Sequence, residues 1–121
     1  MAPELLSPAR DAQTAREAIL AGADSVYIGA PLFGARRDAA NSAADIAGLC
    51  RFAHLYGCRV YVALNTILFD SELPKAARMA EELWDAGADA ILVQDLGLAR
   101  ALRAALPDIP ALAACEEEKL H

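Results

Sequence analysis

The sequence predicts an α/β protein built from parallel βα repeats, and three observations carry that reading. Short apolar runs rich in valine, isoleucine and tyrosine alternate with alanine-rich segments whose apolar residues recur at helical spacing. A punctuation mark precedes three of the strands: Ala21-Gly22-Ala23-Asp24, Tyr56-Gly57-Cys58-Arg59 and Ala86-Gly87-Ala88-Asp89. Each mark reads as a helix end, a left-handed glycine and a spacer. The marks recur roughly every 30 to 35 residues, which leaves room for one strand, one loop and one helix, so strands joined by helical crossovers pair in parallel.

The elements follow in order. Glu4-Leu5-Leu6 is a short apolar run, stopped by Ser7-Pro8, and is read as strand one. Asp11 caps a helix whose apolar face runs through Ala15, Ala18, Ile19 and Gly22, with Gly22 as its C′ residue. Val26-Tyr27-Ile28 has no polar alternation and is expected to be buried on both faces, ending at Gly29. A long loop from Ala30 to Ser42 follows. Ser42 then heads a helix with Asp45 three residues on, a variant capping box, and Ile46, Leu49, Cys50, Ala53 and His54 share a face. Arg59 to Leu64 is strand three. Asp70 or Ser71 caps the next helix and Pro74 falls in its first turn, where a missing N–H matters least. Ala76, Met79, Ala80, Leu83 and Trp84 supply the buried face of that helix. Ala90 to Val93 is strand four, Leu96 to Leu106 a shorter helix ended by Pro107 and Pro110, and Ala111 to Cys115 a possible fifth strand. Residues 1–115 read as a single βα-repeat domain and 116–121 as a charged tail. Four βα units plus a strand suit a five-stranded doubly wound sheet and equally the first half of an eight-stranded barrel; periodicity does not choose.

Composition narrows the function. The chain has 121 residues, 56% apolar and 23% charged, enough for one domain with a real core. A net charge of −6 argues against a generic nucleic-acid or membrane-surface binder, while leaving room for a local arginine patch. No basic-then-apolar leader and no membrane-length apolar run is present, so the cytoplasm is the default location. Cys50, Cys58 and Cys115 lack metal spacing. Cys50 and Cys58 read as small buried hydrophobes. No Ser-His-Asp, Cys-His or HExxH constellation is visible.

In parallel α/β proteins ligands bind where loops leave the C-terminal ends of strands. The candidate ligand contacts are therefore Arg36, in the loop after strand two, Asn65 and Thr66 after strand three, and Gln94 after strand four. A guanidinium can grip a phosphate or carboxylate through its planar fork. Arg37 reads as solvated and Tyr27 and Tyr61 as core, while Asp70 and Asp95 fit either a carboxylate pair or helix caps. Glu4, placed inside strand one, is a candidate acid or base pointing into a barrel.

Several stretches together resemble the U32 peptidase family, the collagenase-like proteases. They are Glu4-Leu5-Leu6 with Pro8-Ala9, Gly22 to Gly29, Phe33-Gly34-Ala35-Arg36 with Asn41, Gly57 to Thr66, Asp70 with Glu72-Leu73, and Gly87 to Asp95. The resemblance implies the first half of a TIM-type barrel, and a hydrolase label, putting this segment among substrate-contacting loops without a catalytic group of its own. It also implies an alternative activity, because several members are implicated in hydroxylating RNA bases or a quinone precursor with an iron–sulfur cluster held by downstream cysteines. Departures occur at Arg10, Ser42 and Ala113 to Glu117, where the family tends to read otherwise; the match fails at the last of these, just where the chain stops, so the chain is expected to be a fragment or a truncated or frameshifted product, inactive alone and without a cofactor in this segment. A half barrel leaves strand edges open, which makes a self-associating, non-catalytic homo-oligomer the reading from another class. A flavodoxin-like regulator lacks its acidic cluster and late lysine here.

Overall fold

The computed structural model describes residues 4–29, 42–64, 73–93, 96–110 and 112–114. Among these residues nine elements alternate: β1 (Leu6–Ala9), α1 (Ala12–Leu20), β2 (Ser25–Gly29), α2 (Ala43–Leu55), β3 (Arg59–Leu64), α3 (Leu73–Asp85), β4 (Ala90–Val93), α4 (Leu96–Ala105) and β5 (Leu112–Ala114). All neighbouring strands are parallel, in the order β1-β2-β3-β4-β5. That order decides between the two architectures left open by periodicity. A doubly wound sheet reverses its direction of growth partway and so places strands out of sequence. Here growth never reverses, α1 packs on α2, α2 on α3 and α3 on α4, and the helices form one layer on one side of the sheet. This is the winding of a partial TIM-type barrel.

The helices begin and end where local chemistry says they should. The Asp11 carboxylate accepts from the Thr14 N–H at 2.8 Å, closing the first turn of α1. Ser42 Oγ accepts from the Asp45 N–H at 3.0 Å and Asp45 Oδ2 accepts from the Ser42 N–H at 3.3 Å, a reciprocal capping box at α2. The three glycine marks are one device. Gly22, Gly57 and Gly87 have φ of +108°, +71° and +113°. In each, the glycine N–H reaches back to the carbonyl of Ile19, His54 or Trp84, and the next N–H reaches Ala18, Ala53 or Leu83. These paired bonds are Schellman caps, which satisfy carbonyls that the helix end would leave without donors.

The core lies between the helix layer and one face of the sheet. Val26, Ile28, Val60, Val62, Leu64, Ile91 and Val93 meet Ala15, Ile19, Ile46, Leu49, Ala53, Ala76, Ala80, Leu83, Ala99 and Leu102, all buried. Three expectations change. Strand one runs from Leu6 to Ala9, through the Ser7-Pro8 pair read as its stop; as an edge strand, β1 tolerates a proline without a ladder donor. Tyr27 and Tyr61, expected in the core, are only half-buried, so strand two is not buried on both faces. They alternate with the helix-side valines and isoleucines and stand in register with Pro8 and Ala90 on the opposite face. α4 closes one residue earlier than its apolar pattern, at Ala105.

Candidate functional site

β2, β3 and β4 end side by side. Gly29 is in register with Ala63, Ala63 with Leu92 and Leu64 with Val93, so the three C-terminal strand ends form one continuous rim. Arg36, Asn65, Thr66 and Gln94 belong to the segments that follow these ends in sequence, and all four lie outside the described residues, as do Asp70 and Asp95.

Glu4 is described, and it stands at the other end of the sheet. It precedes β1 and is exposed rather than enclosed by a strand, because β1 starts two residues later. Its Oε2 accepts from Ser25 Oγ at 3.0 Å, and Ser25 is the one fully buried polar side chain among the described residues. The carboxylate thus satisfies a hydroxyl that burial would otherwise leave unpaired. Arg59 begins the neighbouring strand in register with Ser25. A side-chain hydrogen bond with Tyr61, assisted by the charge of Glu4, pushes its guanidinium above the ordinary value. Glu4, Ser25, Arg59 and Tyr61 therefore make a polar seam across the N-terminal ends of three strands, a place that in this architecture serves stability.

The aspartates of the repeated mark do the same work twice. Asp24 Oδ2 accepts from the Leu5 N–H at 2.8 Å while the Asp24 N–H donates to the Leu5 carbonyl at 2.9 Å. Asp89 repeats this with Val60, at 2.8 Å for both bonds. Each carboxylate pins the start of the preceding strand. The sequence signal was present in the repeated Gly-Ala-Asp, but its partner is a neighbouring strand 19 or 29 residues away. Asp89 Oδ2 also accepts from His54 Nε2 at 2.8 Å, and His54 is half-exposed, at the margin of the helix face rather than within it.

Cys50, His54 and Asp89 consequently gather around Gly87, whose Cα faces the Cys50 and His54 side chains. The trio has the residue types of a cysteine hydrolase without the chemistry. Cys50 is 1% exposed, and burial followed by the charge of Asp89 pushes its thiol up to about 11, whereas a nucleophile needs an accessible thiolate. Burial also raises Cys58. Both thiols are free and buried, as a hydrophobic role requires. An iron–sulfur cluster is held by several thiolates. Two dry, protonated thiols do not fit that need, and among the described residues no group of three metal-ligating side chains occurs. Among those residues no helix is long and apolar enough to cross a membrane.

Sequential parallel winding, one helix layer and a shared rim of strand ends define a TIM-barrel-like α/β protein. Solved structures bear the fold out: 2,3-dimethylmalate lyase of the PEP mutase/isocitrate lyase superfamily matches over 95% of this chain and 47% of its own, with a TM-score of 0.60 at 17% identity. Phosphonopyruvate hydrolase matches over 99% of this chain and 56% of its own, with a TM-score of 0.56 at 14% identity. The model of peptidase family U32 matches residues 10–116, and the chain belongs to that family. Over 95 residues it is 61% identical to the 23S rRNA 5-hydroxycytidine C2501 synthase of Escherichia coli strain K12, covering 78% of this chain and 14% of that protein. It is 36% identical over 96 residues to an uncharacterized protease of Methanocaldococcus jannaschii, covering 78% and 23%. It is 32% identical over 108 residues to the tRNA hydroxylation protein P1 of Bacillus subtilis strain 168, covering 88% and 26%. The chain thus spans about a seventh to a quarter of the length of these relatives.

Proposed function

We propose that this chain is the first part of a barrel that serves RNA base hydroxylation, and that its rim holds the RNA rather than performing the oxidation. The 61% identity to a 23S rRNA 5-hydroxycytidine synthase carries the reading, since it stands far above the 36% shared with the uncharacterized protease. The buried, protonated Cys50 supports it by removing the one hydrolase-like trio among the described residues. Arg36, Asn65, Thr66 and Gln94 are the proposed RNA-contacting side chains, with Arg36 on a phosphate. An iron–sulfur cluster, if the full-length protein uses one, takes its cysteines from outside this chain, which alone is inactive. The test is nucleoside mass spectrometry of 23S rRNA from cells lacking the full-length protein, with and without its restoration. Loss and recovery of 5-hydroxycytidine are expected; unchanged 5-hydroxycytidine together with cleavage of a denatured protein substrate returns the peptidase reading.

Self-association is the second reading, favoured by the open β1 edge, beside which Leu5 is 56% and Leu6 49% exposed. Pairing of two copies predicts a dimer in sedimentation velocity at micromolar concentration. A monomer throughout ends this reading.

A further inference from the structure

The outer surface of α1 and α2 carries a feature that the strand-end rim does not explain. Gly48 sits in the middle of α2, where glycine is a poorer helix former than alanine. Its bare Cα is covered by arginine: a Cβ there would stand 3.3 Å from Arg16 Nη2 and 3.9 Å from Arg51 Nη2. Two guanidinium groups therefore converge over one point, close enough for a single phosphate to bridge them. Neither makes an ion pair with a carboxylate among the described residues. The Arg16 guanidinium lies 5.6 Å from the centre of the Phe52 ring, and Phe52 lies 4.9 Å from Tyr56, tilted at 41°. Tyr56 is 57% exposed, with its ring tilted against Phe52 on one side. The chain carries a net charge of −6, and here two guanidiniums without a carboxylate partner among the described residues stand beside an exposed aromatic.

We infer that Arg16, Arg51 and Tyr56 form a second RNA-contacting surface on the helix layer, which takes one phosphate of a single strand between the guanidiniums and stacks a neighbouring base on Tyr56. Charge complementarity selects the phosphate, and an open ring selects a base over an acidic side chain. This rests on the RNA reading of the preceding section and extends it to the opposite flank of the fold from the strand-end rim. Gly48 lets Arg16 lie close over α2: a Cβ there would make the guanidinium shift by a few tenths of an ångström.

The test measures fluorescence anisotropy of a labelled twelve-nucleotide single-stranded RNA with the 121-residue chain, over a range of salt, with unlabelled RNA and polyglutamate as competitors. Wild-type binding, weakened about tenfold or more in Arg16→Gln/Arg51→Gln and in Tyr56→Ala, is expected, as is a salt slope smaller by about 0.7, one phosphate contact, in the double arginine variant. Arg78→Gln on α3 should bind as wild type, and circular dichroism should show each variant folded. Arg51→Gln alone, an exposed helix position, supplies a readout should the double variant unfold. Wild-type binding unaltered in folded Arg51→Gln and Tyr56→Ala overturns the surface while leaving rRNA hydroxylation standing. Absence of RNA binding, or release by polyglutamate as readily as by RNA, overturns it also.

Discussion

His54 and Asp89 meet at 2.8 Å between Nε2 and Oδ2, and through this contact the end of α2 is tied to the start of β4. A carboxylate oxygen only accepts, so the histidine Nε2 carries the proton it donates. The same oxygen takes the Val60 N–H, so one side chain joins three elements: α2, β3 and the approach to β4. The bond to Val60 is the more buried of the two.

Removing the carboxylate should therefore cost more than removing the ring. Asp89→Ala leaves the Val60 N–H without its acceptor and is expected to lower stability by about 2–3 kcal/mol, whereas His54→Ala, at a half-exposed pair, should cost about 1 kcal/mol or less. Urea unfolding of the two variants and the double variant checks the order. Equal losses would show that the histidine contact, not the strand-start bond, is what Asp89 supplies.

Gly22 and Gly87 share a left-handed backbone but not their surroundings. A Cβ at Gly22 would meet nothing within 4 Å, while at Gly87 it would stand 3.1 Å from Cys50 Cβ. Alanine at either position carries about 1–2 kcal/mol of backbone strain. Gly87→Ala adds crowding against a helix side chain that cannot swing away, so its thermal midpoint should fall further than that of Gly22→Ala. The reverse order would mean that α2 yields at Cys50.

The buried thiols predict both reactivity and a pH dependence. In a Cys115→Ser variant, Ellman's reagent should label neither Cys50 nor Cys58 at pH 8 until the chain is unfolded. The Cys50 value lies at about 11 in the folded chain against 9.0 ordinarily, so the folded state holds the proton more tightly. Stability from this group is complete below pH 9 and is lost as pH rises from 9 towards 11. Asp11 works in the opposite sense: the Thr14 N–H holds its carboxyl below the ordinary 3.8, so its contribution is present at neutral pH and lost as pH falls through the acid range. A stability profile that rises above pH 9 would contradict the burial of Cys50.

The proposed RNA reading predicts that Arg36→Ala and Asn65→Ala in the full-length protein lower 5-hydroxycytidine formation at least about tenfold, the loss of one hydrogen bond to the substrate, with unfolding midpoints unchanged. Glu4→Gln should instead leave activity near wild type and reduce stability, because its observed partner is the buried Ser25 hydroxyl. Unfolding of the Arg36 or Asn65 variants would make those side chains structural.

Much of this protein was legible in one dimension because helix ends are local chemistry. Asp11, Ser42 with Asp45, and the three glycines act within a few residues of themselves, so their spacing alone announced four βα units and the parallel class. Position along the sheet was not local, and that is where reading the chain fell short. Whether growth of the sheet reversed, whether Tyr27 and Tyr61 faced helices or the open side, and whether Glu4 stood in a strand or ahead of it depend on which strands become neighbours. The bonds from Asp24 to Leu5 and from Asp89 to Val60 likewise exist only once those strands are side by side, since a carboxylate reaches a backbone N–H across space and not along the sequence.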